Sequence, residues 1–131
     1  MTPPAPALSL TCVIVDDSPE FLAAARQLLA DDGLSVVGVA TTGDEAVAEA
    51  SARHPDFALV DVDLGAESGF DVADRLAALP DGGPPVVLIS AESGGELAEL
   101  VDASVALGFV SKTDLDGDAI RKILARPTSR R

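Results

Sequence analysis

The chain lacks several things that would place it in other classes of protein. It has one cysteine, Cys12, so no internal disulfide can form, and that residue sits within an apolar run as a small hydrophobe. A reducing, cytoplasmic compartment is therefore expected. No apolar stretch approaches the roughly 20 residues that a membrane span needs. Positive charge is scarce: nine Lys and Arg stand against 22 Asp and Glu, for a formal net charge of -13. That balance argues against unassisted binding to DNA, RNA or an anionic membrane, but it leaves room for a divalent cation or a basic partner surface. Lysine is the rarer cation, present only as Lys112 and Lys122. The first residues lack the charged-then-apolar layout of a signal peptide, and no internal repeat or low-complexity block occurs.

What is present is a five-fold alternation of strand and helix patterns. Leu10 to Val15 is a continuous apolar run with β-branched residues, the mark of a strand covered on both faces. Ser18-Pro19-Glu20 opens a helix with a cap, a proline at the first position and an acid at the positive end of the dipole. Asp32-Gly33 stops it. Leu34 to Ala40 predicts a second strand, and a helix starts at Thr42 or Gly43 and ends before His54-Pro55. Phe57 to Val60 is a third strand. A loop from Asp61 to Ser68 leads into a helix with Phe70, Ala73, Leu76 and Ala77 on one face. After the breaker loop Pro80 to Pro85, Val86 to Ile89 predicts a fourth strand. A weak helix is expected over Glu96 to Ala106, a fifth strand over Leu107 to Val110, and a last helix over Leu115 to Ala125.

Repeated strand-then-helix units imply a doubly wound α/β fold, because right-handed crossovers put helices on both faces of a parallel sheet. Five strands suit the flavodoxin-like order 2-1-3-4-5, with a crevice at the carboxyl ends of strands one and three. One domain is expected over residues 10–126, with flexible tails at 1–9 and 127–131. Too little follows Pro127 for an output domain, so a stand-alone unit is expected, with a cut from a longer regulator as the alternative.

The acids gather at that crevice. The first strand runs into Asp16-Asp17, and the third into Asp61-Val62-Asp63. Two unit charges about 4 Å apart repel by roughly 4 kcal/mol at an effective dielectric near 20, so such carboxylates protonate, splay or bind a cation. Mg²⁺ suits them, because it takes hard oxygens from one or two carboxylates and also accepts phosphate oxygens. Asp17 and Asp61 are candidate direct ligands, Asp16 a ligand directly or through water, and the Asp63 carbonyl a further oxygen. A carboxylate beside such a metal can attack phosphorus, and Asp61 suits that role. Lys112, directly after an apolar strand, could hold a phosphoryl oxygen, and Ser90 could donate a hydroxyl to another. Taken singly, these are ordinary solvated turn acids, a surface lysine and a strand-end serine; their common register carries the reading.

The pieces Val13-Ile14-Val15-Asp16-Asp17, Leu59-Val60-Asp61-Val62-Asp63-Leu64, Ile89-Ser90-Ala91-Glu92 and Gly108-Phe109-Val110-Ser111-Lys112 resemble the receiver domain of bacterial two-component response regulators over nearly the whole chain. The resemblance implies that Asp61 accepts phosphate from a phosphohistidine on a sensor histidine kinase or phosphotransfer protein. Asp16 and Asp17 would hold Mg²⁺, and Lys112 would bridge to the phosphoryl group. Ser90 and Phe109 match the switch positions that report phosphorylation to the surface of helix four, strand five and helix five. It further implies a phosphoacceptor rather than an enzyme, with at most slow self-dephosphorylation. Its partners would be the donor and an unidentified downstream protein, with no direct nucleic acid or membrane contact. Homodimerisation on phosphorylation stays open.

Gly65 stands where the family usually has proline, and Ser68 where it often has aspartate. Asp63 and Glu92 lie at positions that tune phosphoryl lifetime in the family. The alternative reading is a small phosphatase or phosphotransferase of haloacid dehalogenase type, since Asp61-Val62-Asp63 resembles its Asp-x-Asp motif. That motif belongs on the first strand and comes with a substrate-capping segment that is missing here. A receiver-like scaffold that is never modified is a third reading, against which the intact Asp61 and Lys112 argue.

Overall fold

The computed structural model of the chain describes residues 10–91 and 95–125. The expected tails and Glu92 lie outside them. Five strands form one parallel sheet: β1 (Thr11–Val15), β2 (Ser35–Ala40), β3 (Phe57–Asp61), β4 (Val86–Ser90) and β5 (Gly108–Ser111), in the order β2-β1-β3-β4-β5. Five helices connect and follow them: α1 (Pro19–Asp31), α2 (Gly43–Arg53), α3 (Gly69–Ala77), α4 (Gly95–Asp102) and α5 (Gly117–Leu124). The expected flavodoxin-like architecture and strand order are present.

The apolar alternation along each strand divides the core in two. Cys12, Ile14, Phe57, Leu59, Val87, Ile89 and Val110 face Leu22, Ala25 and Leu29 of α1 and Ile120 and Ile123 of α5. Val13, Val15, Ala58, Val60, Val86 and Leu88 face Ala46 and Ala50 of α2, Val72, Ala73 and Leu76 of α3 and Val101 of α4. The central strands β1, β3 and β4 are buried almost throughout, because helices cover both of their faces. Burying a side chain of this size contributes about 1.5–3 kcal/mol, so the sheet is a stiff platform for whatever its ends carry.

Side-chain caps set the helix starts. Ser18, Thr42, Ser68 and Asp116 each accept a backbone N–H from the first turn of α1, α2, α3 and α5. Two helices differ from the expectation. α4 ends at Asp102 rather than Ala106, because the Ser104 hydroxyl donates to the Val101 carbonyl at 2.7 Å and accepts the Ala106 N–H at 3.1 Å. Serine thereby offers the backbone a turn in place of another helical turn. α5 begins at Gly117, not Leu115: residues Lys112–Asp114 form a short 3₁₀ turn, Leu115 is buried, and Asp116 is the cap. Among the described residues no helix is long and apolar enough to cross a membrane.

Candidate functional site

The carboxyl ends of β1 and β3 lie side by side because the chain reverses direction between them. The ladder extends one residue past each strand: the Asp16 N–H donates to the Ala40 carbonyl at 3.0 Å, and the Val62 N–H to the Ile89 carbonyl at 2.9 Å. The backbones carrying Asp16 and Asp61 are thus pinned by the sheet. Each of Asp16, Asp17 and Asp61 offers a carboxylate oxygen within 4.8 Å of the others. Asp16 is fully buried, Asp61 is 6% exposed, and Asp17 faces solvent.

Lys112 reaches the cluster from the end of β5. Its Nζ lies 2.7 Å from Asp16 Oδ2 and donates to Asp61 Oδ2 at 3.1 Å. Burial by itself would lower the Lys112 pKa, but the two carboxylates override it and the net shift is upward, which keeps the ammonium charged. Burial raises the Asp61 pKa and the Asp16 charge adds to it; the Asp63 N–H, donated to Oδ1 at 3.1 Å, and Lys112 act the other way without cancelling the rise. By formal charge, one ammonium stands against three carboxylates. Asp16 Oδ1 accepts the Ser18 N–H at 2.8 Å, whereas Oδ2 is buried and meets no donor in hydrogen-bond geometry. The short contact from Lys112 to that oxygen is a charge–charge contact.

Three convergent acids and an all-oxygen donor set fit a small hard cation such as Mg²⁺. Asp16, Asp17 and Asp61 are the carboxylates able to hold it. Asp17 and Asp61 border a cleft of about 350 Å³ that is also lined by Asp63, Gly65, Ser90 and Lys112. A larger hollow, about 510 Å³, lies at the other end of the sheet among Pro55, Pro80, Pro84 and Pro85. Its His54 and Asp81 are 4.0 Å apart and largely exposed, so nothing there gathers charge as the smaller cleft does.

The loop from β3 to α3 closes one side of the cleft. Asp63 Oδ1 accepts the Gly65 N–H at 3.0 Å, and Glu67 Oε1 accepts the Gly43 N–H at 2.8 Å, which ties the loop to the start of α2. Gly65 has φ +76°, which proline cannot adopt, and a Cβ there would lie 3.3 Å from Asp17 Oδ2. The loop thus takes a course closed to the proline-bearing pattern. Gly69 must be glycine for a different reason, since a Cβ would collide with the Asp61 carbonyl.

The sequence-predicted residues fall into two groups. Asp17, Asp61, Asp63, Ser90 and Lys112 line the cleft, and the buried Asp16 joins them through Lys112. Ser90, 5% exposed, ends β4 and pairs in register with Ser111. Phe109 is two residues before Ser111 on β5, opposite Leu88, half-buried against the core on the α2, α3 and α4 side. It is at the edge of the site and not among the residues lining the cleft. Two residues escaped the sequence reading: Phe21, whose ring centroid is 4.3 Å from Lys112 Nζ, and Glu67. Phe21 lies within the first helix pattern and Glu67 within the loop from Asp61 to Ser68, where nothing along the chain marks either.

Comparison with known proteins agrees with this arrangement. The family model of the response regulator receiver domain matches residues 12–125. The DNA-binding transcriptional activator EvgA of Escherichia coli K12 is 29% identical over 105 residues, covering 80% of this chain and 51% of that protein. The transcriptional regulatory protein PdtaR of Mycobacterium tuberculosis H37Rv is 30% identical over 97 residues, 74% of this chain and 46% of its own. The chain spans about half the length of the curated relatives it matches. Since these are transcriptional regulators, they lend no support to the expectation of no direct nucleic acid contact.

Among solved structures, the signal receiver domain assigned to NarL of Mycobacterium tuberculosis superposes with a TM-score of 0.77 at 26% identity, covering 90% of this chain and 98% of that one. The BeF₃-activated N-terminal receiver domain of Klebsiella pneumoniae RstA gives 0.74 at 23% identity, covering 87% and 95%, and shows the shared fold. With a matching fold and a family match over nearly its whole length, the chain belongs to the response regulator receiver domain family of two-component signalling proteins.

Proposed function

We propose that Asp61 is the phosphoacceptor of a Mg²⁺-dependent switch, taking its phosphoryl group from a phosphohistidine on a sensor histidine kinase or phosphotransfer protein in the cytoplasm. One observation carries this reading: Lys112 contacts Asp61 and Asp16 at the mouth of a three-carboxylate cluster whose charge it only partly offsets. A site of that kind attracts a further cation and then a phosphoryl group. In the transfer, an Asp61 carboxylate oxygen forms the O–P bond while the P–N bond to the donor imidazole breaks, and the bonding pair leaves with the nitrogen. Bound Mg²⁺, held by Asp16, Asp17, Asp61 and the Asp63 carbonyl, would supply charge neutralisation for the phosphoryl oxygens.

Lys112 is placed to exchange its Asp61 contact for a phosphoryl oxygen, and Ser90 offers a hydroxyl from the end of β4. The added charge, about -1.5 to -2, is the bias that moves Ser90 and Phe109 and remodels the face of α4, β5 and α5 for a downstream partner. The haloacid dehalogenase alternative is not favoured, because Asp61 ends the third strand rather than the first. The test is incubation with Mg²⁺ and phosphoramidate or acetyl phosphate, read as a phosphate mass adduct. The adduct is expected on wild type and absent from Asp61→Asn; an undiminished adduct on that variant overturns the assignment.

A further inference from the structure

Lys112 has a third partner besides its two carboxylates. The ring of Phe21, in the first turn of α1, lies across its ammonium at 4.3 Å from the centroid. The turn that delivers the ring is itself tied to the acid cluster. Asp16 Oδ1 accepts the Ser18 N–H, Ser18 Oγ accepts the Phe21 N–H at 3.2 Å, and Asp16 Oδ2 faces Lys112 Nζ. These contacts close a ring: the acid that pairs with the lysine also fixes the helix start that puts an aromatic face on it. Phe21 packs against the α1 and α5 side of the core, so the ring has little freedom to turn away.

The chemistry of a ring face differs from that of another carboxylate in one relevant way. It attracts an ammonium through its quadrupole but offers no oxygen to a hard divalent ion. An acid at that place would bind Lys112 and also compete for the metal. An aliphatic side chain would leave the ammonium held by the two carboxylates alone. We propose that Phe21 is a positioning residue: its ring holds the Lys112 ammonium on the Asp61 side of the cleft and keeps the lysine apart from the divalent cation, so that phosphoryl capture is fast. This inference rests on the phosphoacceptor reading of Asp61 but is tested separately from it.

Two variants separate the aromatic face from simple bulk. Phe21→Leu retains an apolar side chain, and Phe21→Tyr retains the face. The chain has only two lysines, so the side-chain ammonium and ε-methylene signals of Lys112 are readily told from those of Lys122 by NMR. In wild type the Lys112 ε-methylene protons are expected upfield, shifted by the ring current. Phe21→Leu is expected to lose that shift and to take phosphate from phosphoramidate about 3- to 10-fold more slowly at saturating Mg²⁺, with an unchanged Mg²⁺ Kd. Phe21→Tyr should restore both the shift and the rate.

An unshifted Lys112 in wild type, or a Phe21→Leu rate equal to wild type with the ring shift gone, overturns the proposal. A rate loss in Phe21→Leu accompanied by an equal loss in Mg²⁺ affinity overturns it too, because the ring would then serve the cluster at large. If wild type takes no phosphate on Asp61, the functional reading fails instead, and the proposal, which depends on phosphoryl capture, falls with it; the Lys112 spectrum still reports the contact itself.

Discussion

Aspartate does opposite work at the two ends of this sheet. At the amino end, Asp56 Oδ2 accepts both the Thr11 N–H at 2.8 Å and the Thr11 hydroxyl at 3.2 Å, stitching the start of β3 to β1. Nearby, Asp32 Oδ2 accepts the Gly117 N–H at 2.7 Å, and its carbonyl accepts Arg121 Nη2 at 2.5 Å, so the end of α1 and the start of α5 cap one another. Each of these acids is matched with donors and is a latch. At the carboxyl end, Asp16 and Asp61 share the one ammonium of Lys112, and the Asp17 carboxylate crowds within 4.8 Å of both acids. Residue type does not decide which acids are reactive. The balance between carboxylates and donors does, and it fails where two strand ends face the same crevice.

If this contrast is right, the heaviest perturbation is removal of the shared cation. Lys112→Ala leaves Asp16 and Asp61 close together and uncompensated, and should cost about 3 kcal/mol at neutral pH, the low end for a broken buried pair because the ammonium retains some solvent access. The check is urea denaturation with and without Mg²⁺. Because the folded Lys112 pKa is raised above 10.5, its contribution is fully present below that value and is lost as pH climbs through the folded pKa. Alkaline titration should therefore erase the difference between wild type and Lys112→Ala.

Next in size is the cation itself. Mg²⁺ at about 100 times its Kd should add roughly 2.7 kcal/mol to wild type, read as a rise in Tm. Asp17→Asn should blunt that rise, and Asp56→Ala should leave it intact. Cutting the latch instead, Asp56→Ala should cost about 1–2 kcal/mol by removing the two hydrogen bonds that Thr11 donates to it, and it should not alter phosphorylation by phosphoramidate.

The smallest effect has the opposite sign. Asp61→Asn should stabilise the protein, by on the order of 1 kcal/mol, because it removes one of three crowded charges. The folded pKa of Asp61 is raised above 3.8, so its ionisation weighs against folding at neutral pH, and the penalty fades as pH falls through the folded pKa toward 3.8. Melting curves of the two proteins should thus converge on acidification. A wild type that is the more stable at neutral pH without added metal breaks the comparison, since the cluster would then be no less balanced than the latches.

Much of this was legible in the residues. Continuous apolar runs gave β1, β3 and β4 because both of their faces are covered, and serine, threonine and proline marked three helix starts through a capping chemistry that acts within four residues. Asp16, Asp17, Asp61 and Lys112 stood out because each directly follows such a run. The ends of α4 and α5 were misjudged because the decisive choices are local competitions, Ser104 against another helical turn and Asp116 against an earlier start. Phe21 and Glu67 were missed for a different reason. Their partners, Lys112 and Gly43, lie on other elements, and no spacing within one element records such a pairing.

The sequence alone determined the alternation of elements, a parallel sheet to which the 2-1-3-4-5 order is suited and the strand ends on which the acids fall, because periodicity, capping and crossover chirality all act along the chain. Only the tertiary structure decided which acids are latched and which are left short of donors, that one lysine is shared by two carboxylates under an aromatic ring, and that a glycine-bearing loop passes close to Asp17. Those outcomes depend on distances between segments remote in sequence, and electrostatic balance follows distance in space.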